Sequence, residues 1–340
     1  MPQWRVERTV HFDFVDDFVK DGFAHFGFHD PEGRFYAVSH QKHFMGLVGG
    51  RGQLEWTLAG APVFRDVPNI RAPLNFPIFV DRFSDGSLVV SNFGDSRLYR
   101  VYPDIMKAEL FADGAGLGVR RAGNCVVDRE GCVWVNEVEG CRVRRFDGSG
   151  KLLLTLGTGE PGFQSGPADF REVMFSWIYD MRRGPDGRIY VLDSKNYAVR
   201  VIDTEAGRVF PVAGTGRAGY DGDGGDASRA TFGGDAAARF DGPISISLDE
   251  DGNIFVGDRF NRVVRMIERK SNTIATIAGD PALTGEEANL ETEVDPSRLR
   301  LPKISSMDYH GRRLFVPTDL TDRSGDLVVL LKAEPAAHEG

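Results

Sequence analysis

Residues Gly242–Gly279 read GPISISLDEDGNIFVGDRFNRVVRMIERKSNTIATIAG, and this stretch decides the fold. An apolar strand leads to a DEDG turn, followed by a second strand, NIFVGD. A short polar loop then leads to a third strand, RVVRMIE, and a fourth, TIATIAG. Four short strands separated by turn residues make one antiparallel sheet. The same pattern recurs at Ser176–Gly214 (SWIYDMRRGPDGRIYVLDSKNYAVRVIDTEAGRVFPVAG) and Asn124–Gly157 (NCVVDREGCVWVNEVEGCRVRRFDGSGKLLLTLG). More divergent copies begin near Asn75, His25 and Leu301. The hairpin glycines Gly33, Gly86, Gly131, Gly187, Gly252 and Gly311 mark six units.

Such a unit cannot bury both its faces alone, so radial stacking is the natural solution. The expected fold is all-β: a six-bladed β-propeller of four-stranded antiparallel blades in a single domain spanning residues 1–340. Blades are expected at about 23–60, 71–113, 120–158, 175–215, 240–279 and 299–333. The sixth repeat shows only three strands. Residues 1–14 carry strand character at Trp4, Val6, Val10 and Phe12 and are expected to close the last blade from the N-terminus. The alternative is a terminus outside the sheet. Residues 213–241 form a glycine-rich insertion between blades four and five, expected to lie over the channel mouth as a lid.

The pattern DxxGNIFVGDxxNxRVxxI resembles the NHL repeat, carried by GDRFNRVVRMI and LDSKNYAVRVI. The insertion GTGRAGYDGDGGDASRATF is similar to the inter-blade loop common in that family. The resemblance implies a propeller and leaves function open, because NHL propellers include lyases as well as protein- and RNA-binding scaffolds.

Fifty acidic against 41 basic residues give a net charge of −9. An acidic surface repels phosphate backbones and anionic lipid, so neither nucleic acid nor membrane is the expected partner. No apolar run approaches the length of a membrane span, and no secretory leader is seen. The cysteines Cys125, Cys132 and Cys141 are odd in number and read as reduced thiols of a cytoplasmic protein.

In a propeller the inner strands line the channel. The residue eight before each hairpin glycine is expected at the channel-entering end: His25, Ile78, Gly123, Tyr179, Ile244 and Lys303. A register one residue later brings in Asn124 and Asp180. The residue six after the glycine opens the loop at the same end, which places Glu137 beside Asp193 and Asp258. The two aspartates are expected to cap turns together with Asn196 and Asn261. Glu137, longer, is a catalytic candidate. So are His25, Tyr179, Asp180 and Lys303, with Trp177, Asn124, Arg71, Arg121, Lys195 and Arg259 as substrate-binding candidates. A cationic mouth favours a carboxylate or phosphate. For each, the competing reading is packing, capping or a solvated surface.

Zinc lyases resembling this fold draw histidines from separate blades, whereas repeats two to five here contain none. A divalent metal on the channel axis (zinc or calcium) would have only His25, His40 and His43 as histidine candidates. The aspartates of DGDGGD read as turn formers, since no glutamate follows at the twelfth position of a calcium loop. The expected activity is a lyase or hydrolase acting on a small, polar, anionic substrate. The alternative is a non-enzymatic scaffold for a peptide or protein partner.

Overall fold

A computed structural model describes residues 3–11, 26–29, 33–39, 43–49, 54–62, 65–234, 242–283, 295–299, 301–319 and 326–332. The chain opens with β1 (Trp4–His11). Blade one follows as β2 (Phe26–His29), β3 (Phe35–Ser39), β4 (Phe44–Val48) and β5 (Leu54–Ala59), with a short β6 (Asn69–Arg71) parallel to β5. Blade two is β7 (Pro77–Arg82), β8 (Leu88–Asn92), β9 (Arg97–Tyr102) and β10 (Lys107–Asp113). Blade three is β11 (Ala122–Val127), β12 (Val133–Glu137), β13 (Arg142–Phe146) and β14 (Leu152–Leu156).

In blade four, β15 (Ala168–Asp169) adds to the outside of β16 (Ile178–Arg183), β17 (Ile189–Asp193), β18 (Ala198–Asp203) and β19 (Arg208–Ala213). Blade five is β20 (Ser245–Leu248), β21 (Ile254–Asp258), β22 (Val263–Ile267) and β23 (Ile274–Ala278). Blade six splits its inner strand into β24 (Lys303–Ile304) and β25 (Asp308–His310), followed by β26 (Arg313–Asp319) and β27 (Asp326–Lys332). This is a six-bladed β-propeller.

The N-terminal strand closes the ring. β1 runs antiparallel to β27 from Trp4↔Lys332 to His11↔Asp326. Arg313 clamps the joint with two bonds to Glu7, at 2.6 and 2.7 Å.

The core lies between blades. One apolar cluster joins blades one, two and three; others join three to four, four to five and five to six. The second strands β8, β12, β17 and β21 are therefore buried at every residue. A strand with a neighbouring blade on each face has no reason to alternate apolar with polar residues.

The middle of the insertion lies on the outer edge of its blade, where a lid over the channel mouth was expected. Gly224 N donates to Ile274 O (2.8 Å), Ala227 N to Asn272 O (2.8 Å) and Thr276 N to the Asp223 carboxylate (3.0 Å). Residues 223–227 thus run along β23, the outermost strand of blade five, whereas Gly219 and Gly233 are tied to Asn261 and Asp258 at the turn between β21 and β22; residues 235–241 lie outside the described residues. The reason is edge chemistry: an outer strand presents unpaired amides and carbonyls, and the loop's backbone answers them. The same corner occurs three times. Gly157 N and Thr158 N bond Phe170 O and Val173 O; Gly214 and Thr215 bond Ala227 and Ala230; Gly279 and Asp280 bond Pro296 and Leu299. Each corner glycine has φ of +90° or +96°, which a side chain would strain.

Candidate functional site

The inner strands converge on a channel, and the later of the two registers brings side chains together there. β7, β11 and β16 each carry an irregularity at their channel-entering end, between Pro77 and Phe79, Ala122 and Cys125, and Ile178 and Asp180. A bulge re-aims the side chain that follows it. Ile78 and Tyr179 sit in these irregularities, and Asp180 turns toward its neighbours.

Asp180 is the knot. One carboxylate oxygen accepts from Asn124 Nδ2 of blade three and from Arg182. The other accepts from Ser245 Oγ (2.7 Å) and Ile246 N (3.0 Å) of blade five. Ser245 Oγ in turn accepts from Met307 N of blade six at 2.9 Å. Burial pushes the Asp180 carboxyl above its ordinary range, against the pull of the Arg182 guanidinium and the Ser245 and Ile246 donors.

Arg182 crosses the channel. Its guanidinium lies over the Phe79 ring of blade two, 4.6 Å from the centroid, and donates to Met307 O of blade six at 3.3 Å. This guanidinium therefore touches blades two, four and six at once. The same inter-strand device recurs around the ring: Asp81 accepts from Val127 N (2.7 Å), Ser247 from Tyr309 N (2.9 Å) and Asp308 from His29 N (2.6 Å).

Tyr179 is half-buried against the cluster that holds Ile244 and Ile304. Lys303 is exposed at the start of β24, and Arg259 donates to the neighbouring Ile304 O at 2.6 Å. Arg259 thus reaches the strand that Lys303 begins, and Tyr179 packs on the apolar cluster between blades five and six. Trp177 and Arg121 are equivalent corner residues with φ of +53° and +60°, whose carbonyls accept Ser194 N (3.3 Å) and Val138 N (3.0 Å). Arg121 also stacks on Phe93, 5.1 Å away. Lys195 is half-exposed in the loop after β17, its amide bound to Ser176 O at 3.0 Å.

Other candidates lie elsewhere. Glu137 is fully buried, one oxygen held by Arg144 and the other by Arg120 N at 3.0 Å. Asp193 shows the same arrangement with Arg200 Nε (2.8 Å) and Ser176 N (2.7 Å). Glu137 thus fastens the corner into blade three. Arg71 ends β6, the outermost strand of its blade, and is remote from the inner strands by strand order. His25 and His40 lie outside the described residues. His43 is exposed, and its Nδ1 accepts from Phe76 N at 2.7 Å. Among the described residues no three His, Cys, Asp or Glu side chains are grouped to hold a metal. Asp223 and Asp226 are occupied by Arg265 and by Ser228 N.

Sequence reasoning missed Arg182, Ser245 and Asp81. The signal available was spacing: each sits two residues from, or level with, the Asn124–Asp180 position and so on the same strand face.

The fold and the inner strands define the class: a six-bladed propeller whose inner strands are joined by the Asp180–Arg182 pair. No family model matches the chain. Over 217 residues it is 26% identical to the Protein SUPPRESSOR OF QUENCHING 1, chloroplastic, of Arabidopsis thaliana, which covers 60% of this chain. The match covers 19% of that protein, so the chain is similar to about a fifth of it. Among solved structures it is similar to an auxiliary nutrient binding protein from Bacteroides thetaiotaomicron (TM-score 0.62, 13% identity, 97% of this chain and 77% of that one). It is also similar to virginiamycin B lyase from Staphylococcus aureus (TM-score 0.54, 11% identity, 90% and 79%). These likenesses establish the fold.

Proposed function

We propose that this NHL-type propeller is a lyase or hydrolase acting on a small, polar, anionic substrate in the funnel above Arg182. The observation that carries the reading is the Arg182 guanidinium held across the axis by three blades, beside the buried Asp180. Asp180 balances the Arg182 charge in the resting channel, and the guanidinium N–H groups not taken by Asp180, Met181 O and Met307 O are the donors that a carboxylate or phosphate would meet on the axis. Tyr179 and Lys303 are the general acid and base candidates, with His25 from blade one. Arg259 and Arg121 guide the substrate at the rim. Asp180 and Glu137 serve as positioning residues, their oxygens already committed to Arg182 and Arg144. One solved relative in fold is named as a lyase, in keeping with this reading.

The test is a panel of small carboxylates and phosphate esters, screened for a rise in Tm and then for turnover by proton NMR. The expected result is one class that both stabilises the protein and is consumed. Tyr179→Phe or Lys303→Ala should then lower kcat/KM by about 100-fold with Tm unchanged. A ligand that stabilises the protein and is returned intact would overturn the enzymatic reading.

That outcome would favour a binding scaffold, which one observation supports. Ile105 (67% exposed), Met106, Leu110 and Leu153 present apolar side chains on blades two and three. A peptide or protein partner would cover such a surface.

A further inference from the structure

The third strands of blades four and five carry equivalent arginines in very different surroundings. Arg200 pairs across the sheet with Pro211, and Arg265 pairs with Thr276, each immediately after the same irregularity. Both are essentially fully buried. The loops that cover them align without a gap: Gly157, Phe163, Gly166, Phe170 and Phe175 correspond to Gly214, Tyr220, Asp223, Ala227 and Phe232. The backbone bonds agree, Gly157 N to Phe170 O matching Gly214 N to Ala227 O. The ring contacts agree as well. Phe163 and Tyr220 each lie 5.3 Å from their guanidinium carbon, with Phe175 at 6.0 Å and Phe232 at 5.2 Å.

In blade five every guanidinium nitrogen is bonded. Arg265 Nε and Nη2 reach Asp223 Oδ1 at 3.0 and 2.7 Å, Nη1 reaches Thr231 O at 2.7 Å and Nη2 also reaches Asp221 O at 3.1 Å. Asp223 is tied down in turn by Thr276 N, 3.0 Å away. In blade four the carboxylate and the groups that hold it are replaced by residues that cannot play their part, and the carbonyls equivalent to Thr231 O and Asp221 O, those of Met174 and Gln164, make no bond to the guanidinium. Gly166 stands at the Asp223 position and Pro211, which has no N–H, at the Thr276 position. Phe163 stands in place of Tyr220, without its hydroxyl. The arginine alone is kept. Arg200 Nε bonds Asp193 Oδ2 at 2.8 Å, while Nη1 and Nη2, both buried, have no partner among the described residues.

A buried guanidinium with four unsatisfied N–H bonds is strongly unfavourable unless something answers them. The surroundings leave room for it. A Cβ at Gly166 would have no heavy atom within 4 Å, and the residue has no positive φ. In blade five Asp223 pairs with Arg265 and Asp258 interacts with it electrostatically, whereas the ion pair of Arg200 in blade four is with Asp193.

We propose that blade four binds a small monoanion, of chloride or formate size, between Arg200 Nη1 and Nη2 and the backbone at Gly166. It takes the position that the Asp223 carboxylate occupies in blade five. The anion neutralises the guanidinium and ties the 157–177 loop to the blade. The site stands outside the channel and does not depend on the catalytic reading.

The test measures Tm against chloride, bromide or formate, with gluconate at equal ionic strength as the oversized anion. The small anions should raise Tm progressively, as mass action requires of a ligand that binds only the folded state, while gluconate should not. Gly166→Asp, which supplies the carboxylate from the chain, should raise Tm by about 2–4 °C in gluconate and remove the response to small anions. Gly166→Asn controls for the backbone effect of replacing glycine, and should keep the small-anion response or lose it without the gain in gluconate. Crystals soaked in bromide should show an anomalous peak beside Arg200. Superimposable Tm curves in all salts, as expected if water alone satisfies the guanidinium, would overturn the proposal. So would a Gly166→Asp protein that still responds to chloride as the unaltered chain does.

Discussion

Asp193 has no exposed surface, and its carboxylate accepts from Ser176 N, Asn196 Nδ2 and Arg200 Nε. Burial outweighs these donors and pushes its pKa up to about 6, as it does for Asp258. A carboxyl whose folded pKa is raised binds its proton more tightly in the native state than in the unfolded chain. Its stabilising contribution is present below about pH 4 and is lost as pH rises through about 6. A shift of this size corresponds to about 3 kcal/mol. Urea denaturation from pH 4 to 7 should therefore show Asp193→Asn losing less stability across that window than the unaltered protein. Equal slopes would mean that the buried carboxylate titrates as it does in the unfolded chain. Turn-capping acids such as Asp85 and Asp226, whose pKa values are lowered, act in the opposite sense and cancel in this difference. The partnership of Asp193 with Asn196 and of Asp258 with Asn261 was legible from their place in the repeat, but the expected capping of the following turn was not found at Asp193, which makes no side-chain cap there. The two carboxylates instead accept from Ser176 N and Gly233 N, far back along the chain. The bond between Glu137 and Arg144 was not legible, because it forms across strands and one residue type does not reveal its partner.

At the scale of elements, repeats three to five could be read from their turns and apolar runs, and the closing strand from its lack of a home in any repeat. β1 covers the outer edge of β27, and Trp4 packs edge-on against Phe255 of blade five at 5.3 Å. Deleting residues 1–14 strips that edge and part of the cluster between blades five and six. The truncated protein should melt at least 5 °C lower, on the order of several kcal/mol, and aggregate through the bared strand. An unchanged melting temperature would contradict this role for β1. The sequence left two channel registers open because a bulge leaves the count of residues intact while rotating the next side chain. The loop over blade five was misplaced for a related reason: glycine and aspartate content marks a turn-rich segment and carries no direction. Its two sister loops, before blades four and six, were detectable from GTGEPG and the later DPSRL beside DASRA.

Across the whole molecule, each blade relies on its neighbours for both faces, and the ring has no free end once β1 and β27 are paired. Opening it anywhere uncovers two apolar faces together. Unfolding should therefore be a single event around the ring. The four tryptophans report on it well: Trp4 in the closing strand of blade six, Trp56 in blade one, Trp134 in blade three and Trp177 at the entry to blade four. Tryptophan fluorescence and far-UV circular dichroism should give coincident denaturation midpoints. Separate midpoints would show blades unfolding independently, as in an open repeat array.

The sequence by itself determined the all-β class, the number of blades and the closure from the N-terminus. Turn residues and strand periodicity are local, and six copies repeat the same local instruction. Only the tertiary structure decided which side chains meet. Asn124, Asp180, Arg182, Ser245 and Met307 come from four blades and touch because the ring closes at one radius. Arg200 and Arg265 read alike along the chain, and they part company only where one finds Asp223 folded over it and the other finds Gly166.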